Sequence, residues 1–434
     1  MTSLGTFIFI RKQLNPKTIS FLFRFIFIYL TYARATAVAN VRETSPEEFG
    51  AVGDGKANDW VAIQHAVDSC ANFTSCRVKF SKSYLSGYIL IKSSGITFDL
   101  EGTLSLLPKR IYTKLHDYEK YNFISNQGTK KFISGFQLIG GGTIQSTSAI
   151  AWWLCKLSGC YRPYLLYLEN MENVRVENVH FVDSPNHNIE VSNCTHVRVN
   201  ELYVDAPHNS PNTDGINFYG GMDQSLTNSV ISNGDDCVSV VAINERAPQC
   251  VPNPDQFFCA GGNLRVKNVT CKGGHGISIG GMNHGVVRNV TFENMTATGG
   301  PSQGIYSAGG LRLKSYPNGT GLVSDIIYRN IVLDGVYLPI QILARYCPWP
   351  SKCPPSVTSV GFSNISFINI RGRGKQKGLV GAFKCAKVAS CKNILLDNVA
   401  LNTSVSDNKY ECENADLIFK GYSNPNKCTP PEGM

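Results

Sequence analysis

Several common signatures of function are missing from this 434-residue sequence. No run of basic residues is interleaved with aromatic residues, so nothing indicates a nucleic-acid-binding surface. No cysteines are spaced as Cys-x-x-Cys, and no Cys/His set has the spacing of zinc ligands, so we expect no metal and no cofactor. After the N-terminal region, no segment is apolar enough to cross a membrane.

The N-terminal region accounts for much of the formal charge of +9. Residues 1–39 contain five basic and no acidic side chains, so the rest of the chain carries 36 basic against 32 acidic residues. A basic leader, the apolar stretch "FIFIYLTYA" (25–33) and alternating alanines have the layout of a secretory signal. Arg24 interrupts the apolar run, which favours a cleaved signal over a membrane anchor of roughly 20 residues. We therefore predict a signal peptide at 1–39 and one secreted, extracellular domain at 40–434.

The fifteen cysteines suit an oxidising compartment. Eight Asn-x-Ser/Thr sequons are compatible with a secreted glycoprotein. Because the cysteine count is odd, we expect one free thiol and select Cys194. Close spacing predicts disulfides between Cys70 and Cys76, Cys155 and Cys160, Cys250 and Cys259, Cys347 and Cys353, Cys385 and Cys391, and Cys412 and Cys428.

A weak repeat organises most of the chain. Short units of the form Asn-apolar-x-apolar begin at Asn178, Asn200, Asn228, Asn268, Asn289, Asn330, Asn364 and Asn398. Stretches such as "NVRVENVHF" alternate apolar and polar residues, which is typical of β-strands. A sandwich or barrel would not be expected to repeat in this way with a fixed Asn at the turn. The pattern predicts an all-β fold, a single right-handed parallel β-helix with asparagines stacked at one recurring turn.

The segment "NDWVAIQHAVDSC" predicts a short helix that caps the open N-terminal end of the β-helix. Asn58 or Asp59 would cap the helix. Its apolar face consists of Trp60, Ile63, Ala66 and Val67.

Five segments share one alternation, which predicts the direction of their side chains. The residues expected to point inward are Ile216 and Phe218, Val238 and Val240, Ile277 and Ile279, Leu311 and Leu313, and Ile340 and Ile342. The polar residues out of phase with them, or just before the strands, are Asp214, Asp235, Asp236, His275, Arg312 and Lys314. Spacings of one coil predict that these residues, continued by Tyr346, form a single stripe on the outer face. The strand of "GDDCVSV" should begin near Cys237, so that both aspartates lie in the preceding turn and reach the cleft.

Three carboxylates beside His, Arg and Lys favour hydrolysis of a glycoside of an acidic sugar. Such hydrolysis needs one protonated acid and one carboxylate that activates water, while cations hold the substrate carboxylate. Crowded carboxylates raise one another's proton affinity, which helps to keep one of them protonated. Each motif alone is more often a turn, a calcium loop or a solvated face; their common register strengthens the hypothesis.

At these residues the sequence resembles the polygalacturonases, pectin-degrading glycoside hydrolases built on a right-handed parallel β-helix. "SPNTDGI", "NGDDCVSV", "GGHGISIG", "RLK" and the Tyr of "RYC" occur in the family's order. The resemblance spans most of the chain, from "FGAVGDGKAND" near residue 49 to "PIQILARYC".

The resemblance implies roles for individual residues. Asp235 would be the general acid, and Asp214 and Asp236 would position and deprotonate the attacking water, with inversion at the anomeric carbon. His275 would assist the acid or contact sugar. The implied substrate contacts are Asn212, Arg312, Lys314 and Tyr346, and the implied disulfide joins Cys237 to Cys271.

Two insertions depart from the family pattern: "NERAPQCVPNPDQFFCAGG", with Cys250 and Cys259, and "GGPSQGIYSAGG" before Arg312. Loops there could close one end of the cleft, which gives a slight preference for exo over endo action. The remaining alternatives are a rhamnogalacturonan or xylogalacturonan hydrolase and a non-catalytic, cell-wall-binding β-solenoid. A pectate lyase would need calcium-binding acids that we do not find in the sequence. We expect a monomer that acts on pectic polysaccharide, with no nucleic-acid or membrane partner after signal cleavage.

Overall fold

The computed structural model describes residues 40–129, 131–242, 261–300, 309–348 and 358–430. The chain winds into a right-handed parallel β-helix in which every strand pairing is parallel. The predicted fold is confirmed. The predicted signal peptide lies outside the described residues, and so does most of both insertion loops, with Cys250 and Cys259. Cys353, the predicted disulfide partner of Cys347, also lies outside them. Across the described ranges, no helix is long and apolar enough to span a membrane.

Short strands form the first coils. They are β1 (Val41–Thr44), β2 (Asp54–Asn58), β3 (Ser75–Phe80), β4 (Ser83–Ser86), β5 (Ile89–Leu90), β6 (Ile96–Leu100), β7 (Thr103–Leu106), β8 (Ile124–Ser125), β9 (Ile133–Ser134), β10 (Gln137–Ile139) and β11 (Thr143–Ser146).

Longer strands that bend at turn residues alternate with short ones in the later coils. They are β12 (Leu166–Glu169), β13 (Met171–Val182), β14 (Ile189–Ser192), β15 (Thr195–Asp205), β16 (Ile216–Tyr219), β17 (Met222–Asn233), β18 (Asp236–Val241), β19 (Gly261–Gly273), β20 (Gly276–Thr298), β21 (Leu311–Val336), β22 (Ile340–Leu343), β23 (Gly361–Gly374), β24 (Leu379–Lys384), β25 (Cys391–Asn402), β26 (Lys409–Glu413), β27 (Ala415–Lys420) and β28 (Cys428–Thr429).

Helices are few and short. The α-helices are α1 (Trp60–Asp68), α2 (Lys109–Tyr112), α3 (Ala149–Trp153) and α4 (Cys155–Ser158), and the 3-10 helices are Pro46–Phe49, Ser69–Asn72 and Tyr118–Lys120. The predicted N-terminal helix is confirmed as α1, which buries Ile63, Ala66 and Val67 in the same apolar core as the first coils. The Asn58 side chain accepts a hydrogen bond from the backbone N–H of Trp60, the first helical residue.

The asparagines form two ladders at two different turns of the coil. The prediction of a single recurring turn is therefore wrong. In the first ladder, side-chain amides connect Asn228, Asn268, Asn294, Asn330 and Asn369 from coil to coil. In the second they connect Asn263 with Asn289, and Asp325 with Asn364 and Asn393. All of these residues have positive φ, a left-handed conformation that Asn tolerates better than most residues. The two turns look alike in sequence because both combine such an Asn with a following apolar strand.

The cleft sheet comprises β12, β14, β16, β18, the first residues of β20 and β21, and β22. Its register aligns Ile216 with Val238, then Ile277, Leu311 and Ile340. These residues and the alternate apolar residues that follow them are buried, as predicted. The opposite faces of the strands therefore carry the polar residues of the cleft.

Five disulfides lie within the described residues. Four join the close pairs Cys70–Cys76, Cys155–Cys160, Cys385–Cys391 and Cys412–Cys428, as predicted from spacing. The fifth joins Cys237 on β18 to Cys271 on β19, the pairing that the resemblance implied. The predicted free thiol, Cys194, is unpaired and buried.

Candidate active site

A bulge at the start of β18 allows two adjacent aspartates to reach one cleft. Asp236 aligns with Gly276, but Val238 aligns with Ile277, so β18 contains one extra residue at this point. Cys237 and Val238 are both buried, and Cys237 is bonded to the interior Cys271. The strand begins at Asp236, next to the predicted start near Cys237, so of the two aspartates only Asp235 lies in the preceding bend as predicted. The bulge turns the side chain of Asp236 to the cleft face, and Asp235 reaches the cleft from the bend.

The predicted carboxylates line a single cavity of about 260 Å³. Its walls include Asn212, Asp214, Asp235, Asp236 and Lys314. His275 borders this group, with its Nδ1 2.8 Å from Asp235 Oδ1. The structure therefore brings together most of the residues that the sequence selected.

Cations fix the carboxylate of Asp236. Lys314 Nζ lies 2.7 Å from Oδ2, and Arg312 Nη1 lies 3.2 Å from Oδ1. The hydroxyl of Ser278 also donates a hydrogen bond to Oδ1, at 2.6 Å. Asp236 is only 4% exposed, so these contacts provide the hydrogen bonds that a buried carboxylate needs.

Arg312 and Tyr346 do not line the cavity wall where the sequence placed them. In the cleft sheet Arg312 aligns with Ser278 and Gln341, not with His275 or Tyr346, so the single vertical stripe is wrong. Arg312 is fully buried beneath the cleft, where it contacts Asp236. Its guanidinium carbon lies 6.0 Å from the centre of the Tyr346 ring. The prediction counted one coil from His275 to Arg312. Arg312 instead aligns with Ser278, three residues after His275, so the two side chains are offset along the strands.

Hydrogen bonds and nearby positive charge lower the pKa of Asp235. Burial alone would raise its pKa, but the hydrogen bond and charge of His275, together with Lys314, hold the pKa well below the usual range. The backbone N–H of Asp236 also donates to Asp235 Oδ1 at 2.8 Å, and Asn212 Nδ2 donates to Oδ2 at 3.3 Å. Each of these donors favours the ionised form.

Asp214 has the opposite environment. Burial, opposed by His187 and Lys314 but reinforced by Asp235 and Asp236, raises the pKa of Asp214 to about 7. The pKa of Asp214 therefore lies above that of Asp235, the residue that the resemblance implies as the general acid. Repulsion among the carboxylates does raise a pKa, as expected, but the local hydrogen bonds decide which one.

Comparisons with known proteins agree with this geometry. The family model described as glycosyl hydrolases family 28 matches residues 70–427. The chain belongs to this family. A polygalacturonase of Malus domestica is 28% identical over 412 residues, which cover 91% of this chain and 81% of the relative.

Two solved structures show the same fold as this family 28 chain. An exopolygalacturonase from Thermotoga maritima has a TM-score of 0.67 and 17% identity, covering 87% of this chain and 91% of its own. An endo-xylogalacturonan hydrolase from Aspergillus tubingensis also has a TM-score of 0.67, with 20% identity, covering 90% and 99%. Because one neighbour is an exopolygalacturonase and the other an endo-xylogalacturonan hydrolase, fold similarity does not select endo or exo action or the substrate. Family membership identifies the chain as a glycoside hydrolase.

His187 also belongs to this family 28 site, although it was not among the residues predicted from the sequence. Its Nε2 lies 3.5 Å from Asp214 Oδ1, and its Nδ1 lies 3.4 Å from the fully buried Glu190. Burial alone would lower the pKa of His187, but Asp214 and Glu190 outweigh that effect and raise it. The signal was available in "NIEV" (188–191), which alternates like the aligned segments and pairs Ile189 with Ile216 one coil later.

Arg162 was also missed. It donates hydrogen bonds to Asn212 Oδ1 at 2.7 Å and to the backbone carbonyls of Pro185 and Pro211. These contacts hold the loop that carries Asn212 against the preceding coil. Arg162 lies 50 residues before Asn212 in a separate loop, so no local pattern connects the two.

One group in the site has the composition of a metal ligand set. Asp235, Asp236 and His275 each offer one atom within 4.8 Å of the others. Both oxygens of Asp236, however, already contact Arg312 or Lys314, and these positive charges would repel a bound cation. The residues present fit acid–base chemistry better than metal binding.

Proposed function

We propose that this protein is a polygalacturonase that hydrolyses the α-1,4-galacturonosidic bonds of pectic polysaccharides. The observation that carries the proposal is the joint position of Asp214, Asp235, Asp236 and Lys314 around one cavity. Three carboxylates supply acid–base groups, and the ammonium of Lys314 supplies positive charge for an anionic sugar. The names of the relatives agree with this substrate class.

In the proposed reaction, Asp235 protonates the leaving oxygen as the glycosidic C–O bond breaks. His275, 2.8 Å from Asp235, passes to Asp235 the proton that goes to the leaving oxygen, and the proton that Asp236 takes from water restores the acid after the product leaves. Asp236 accepts a proton from the attacking water, whose oxygen forms the new bond to the anomeric carbon with inversion. Asp214 positions this water from the neighbouring coil. Arg312 orients Asp236 from below, while Asn212 and Lys314 form the substrate side of the site and the Tyr346 ring lies close to both cations.

The proposal is tested by measuring reducing sugar released from polygalacturonate, methyl-esterified pectin, xylogalacturonan and rhamnogalacturonan. We expect polygalacturonate to give the highest rate, with proton NMR showing the inverted anomer as first product. Chromatography of early products would separate endo from exo action, since only endo cleavage gives an early ladder of oligomers. A preference for xylogalacturonan or rhamnogalacturonan would replace the proposal, and no release from any substrate would favour a binding solenoid.

We also propose that the protein is secreted after cleavage of residues 1–39 and acts as a monomer. The five disulfides support an oxidising compartment. Mass spectrometry of the mature N-terminus and light scattering of the purified protein would check the two statements. An intact residue 1 or a stable dimer would contradict them.

The pKa of Asp214 leads to a pH prediction. Below its pKa of about 7, Asp214 keeps its proton. Above this pH the cleft gains a negative charge, which repels an anionic substrate and changes the contacts of the attacking water. We therefore expect kcat/KM on polygalacturonate, which reports the free enzyme, to fall as the pH rises through about 7.

A His187→Gln variant tests the cause of this pH dependence. The charge of His187 opposes the rise in the pKa of Asp214, so its removal should move the fall in kcat/KM to higher pH. His180 lies on β13, which is not part of the cleft sheet, and His180→Gln should leave the profile in place. If the fall stays at the same pH in the His187 variant, a group other than Asp214 controls it.

A further inference from the structure

A second groove lies on a different sheet from the cleft. It crosses the last residues of β20, β21, β23 and β25, on the side of the coil that follows the turn of the first asparagine ladder. Two cavities, of about 900 Å³ and 300 Å³, form this groove and share Val332, Arg371 and Ala400. We call it the arginine groove. Among the described residues, its walls and those of the catalytic cavity have no residue in common.

Two arginines of β23 give the arginine groove its positive charge. Arg371 and Arg373 are both exposed, and as alternate residues of one strand they point to the same face, about 7 Å apart along the strand. Within the described residues, neither guanidinium has a hydrogen bond or an ion pair. The one acid in the described walls is Asp334, which aligns with Arg373 on the neighbouring strand. Both arginines are therefore available to an anionic ligand.

Basic residues continue beyond the walls of the arginine groove. The sequence "RGRGKQK" (371–377) places Lys375 and Lys377, both exposed, directly after the two arginines. The hydrogen bond of Lys375 Nζ is to a neutral acceptor, the carbonyl oxygen of Gly300, at 3.2 Å. Lys272, exposed on β19, lies beside the β20 wall of the groove. The positive charge therefore extends along a surface longer than the groove itself, as binding of a linear polyanion requires.

The remaining walls of the arginine groove suit a carbohydrate. Hydroxyl and amide groups offer hydrogen bonds to sugar hydroxyls, and small apolar side chains lie between them; these residues are Thr296, Thr298, Asn402, Ser406 and Asn408, with Val332, Ala400 and Val405. Guanidinium groups bind carboxylates in a bidentate manner. The described walls contain no aromatic ring on which a nucleic-acid base could stack. The composition therefore favours an acidic polysaccharide over a nucleic acid.

A hydrogen-bonded loop, residues 403–408, fixes one wall of the arginine groove. The Thr403 hydroxyl accepts hydrogen bonds from the backbone N–H groups of Gly378, at 3.0 Å, and Val405, at 3.3 Å. It donates to Asn408 Oδ1 at 2.8 Å, and Asn408 Nδ2 donates to the carbonyl of Val405 at 3.0 Å. These bonds hold the loop against the start of β24 before any ligand binds. A wall that is already ordered loses little entropy on binding.

We propose that the arginine groove is a non-catalytic binding site for acidic polysaccharide, in which Arg371 and Arg373 contact uronate carboxylates. Its described walls hold a single carboxyl group, that of Asp334, whereas glycoside hydrolysis needs two, so a chain in this groove is held and not cut. The choice of a uronate rests on the proposed function. The groove keeps the protein on its polymeric substrate while the cleft, on another sheet, binds and releases the reacting part of a chain.

Retardation in native gels that contain polygalacturonate tests the groove separately from hydrolysis. The protein carries Asp235→Asn to prevent cutting and is produced without N-glycans, and its mobility at several polymer concentrations gives a Kd. We expect Arg371→Gln with Arg373→Gln to raise this Kd about tenfold, or about threefold for each exposed ion pair that is lost. Lys387→Gln with Lys392→Gln removes the same charge at exposed positions outside the groove and should leave the Kd within about twofold.

Other polymers and the natural glycans complete the test. In gels with methyl-esterified pectin, the difference between the arginine variant and the lysine control should disappear. The same Kd for both variants on polygalacturonate, or equally strong arginine-dependent retardation by DNA, would overturn the proposal. Asn402 begins a sequon, so retardation that is lost in the glycosylated protein would place its own glycan in the groove and also overturn it. Failure of the wild-type protein to hydrolyse any galacturonan would instead overturn the proposed function, and arginine-dependent retardation would still show the binding site.

Discussion

Replacing Asp235 with Asn should lower kcat/KM on polygalacturonate by about 10³-fold, within the range typical of a lost general acid. The amide has the shape of the carboxyl group but cannot deliver a proton to the leaving oxygen. Its oxygen can still accept the hydrogen bond from the backbone N–H of Asp236, now at 2.8 Å. The fold should therefore survive, and the loss should appear mainly in kcat.

The matched control for this variant is Asp416→Asn, an exposed position on β27 away from the cleft. It should retain wild-type kinetics. Circular dichroism and the thermal midpoint of each variant would show that both proteins fold. Activity of Asp235→Asn within tenfold of wild type would remove Asp235 from the role of acid.

Arg312→Met should destabilise the protein by about 3 kcal/mol, as expected when one partner of a buried ion pair is lost. Methionine fills similar space but leaves Asp236, only 4% exposed, with Lys314 as its remaining cation. The misplaced carboxylate should also lower kcat. Urea unfolding followed by fluorescence and by circular dichroism would measure the loss of stability.

A double-mutant cycle would show whether the loss comes from the ion pair. If it does, adding Asp236→Asn to Arg312→Met should cost less than the sum of the two single effects. Arg288→Met, at an exposed position on β20, should change stability by about 0.5 kcal/mol or less. A raised KM with unchanged stability would show that Arg312 binds substrate directly, as the sequence alone suggested.

The sequence was sufficient for the fold because each strand of the cleft sheet alternates clearly. In "GISIG" or "RLK", the apolar residues define the interior and leave the polar residues for the cleft. The joint position of Asp214, Asp235 and Asp236 followed from placing these short patterns on successive coils. An alternating pattern does not reveal the bulge in β18. The bulge turns Asp236 toward the cleft, which Asp235 reaches from the preceding bend.

The sequence could not predict the register between coils, nor which carboxylate has the higher pKa. Loops of different length precede His275 and Arg312, so counting residues cannot show that Arg312 aligns with Ser278. The pKa order of Asp214 and Asp235 depends on contacts from other coils, such as those of His187 and His275. Such contacts are set by packing and not by neighbouring residues in the chain.

The asparagine ladders show that the alignment of successive coils does not depend on how many residues each coil contains. Asn228 and Asn268 are 40 residues apart, whereas Asn268 and Asn294 are 26 apart, yet each pair is joined by the same side-chain hydrogen bond. Each coil thus returns to alignment at fixed points, however many residues its loop contains. Insertions and deletions can reshape the rim of the cleft while the carboxylates below keep their spacing. Evolution of substrate choice in this architecture can proceed through loop length without rebuilding the catalytic groups.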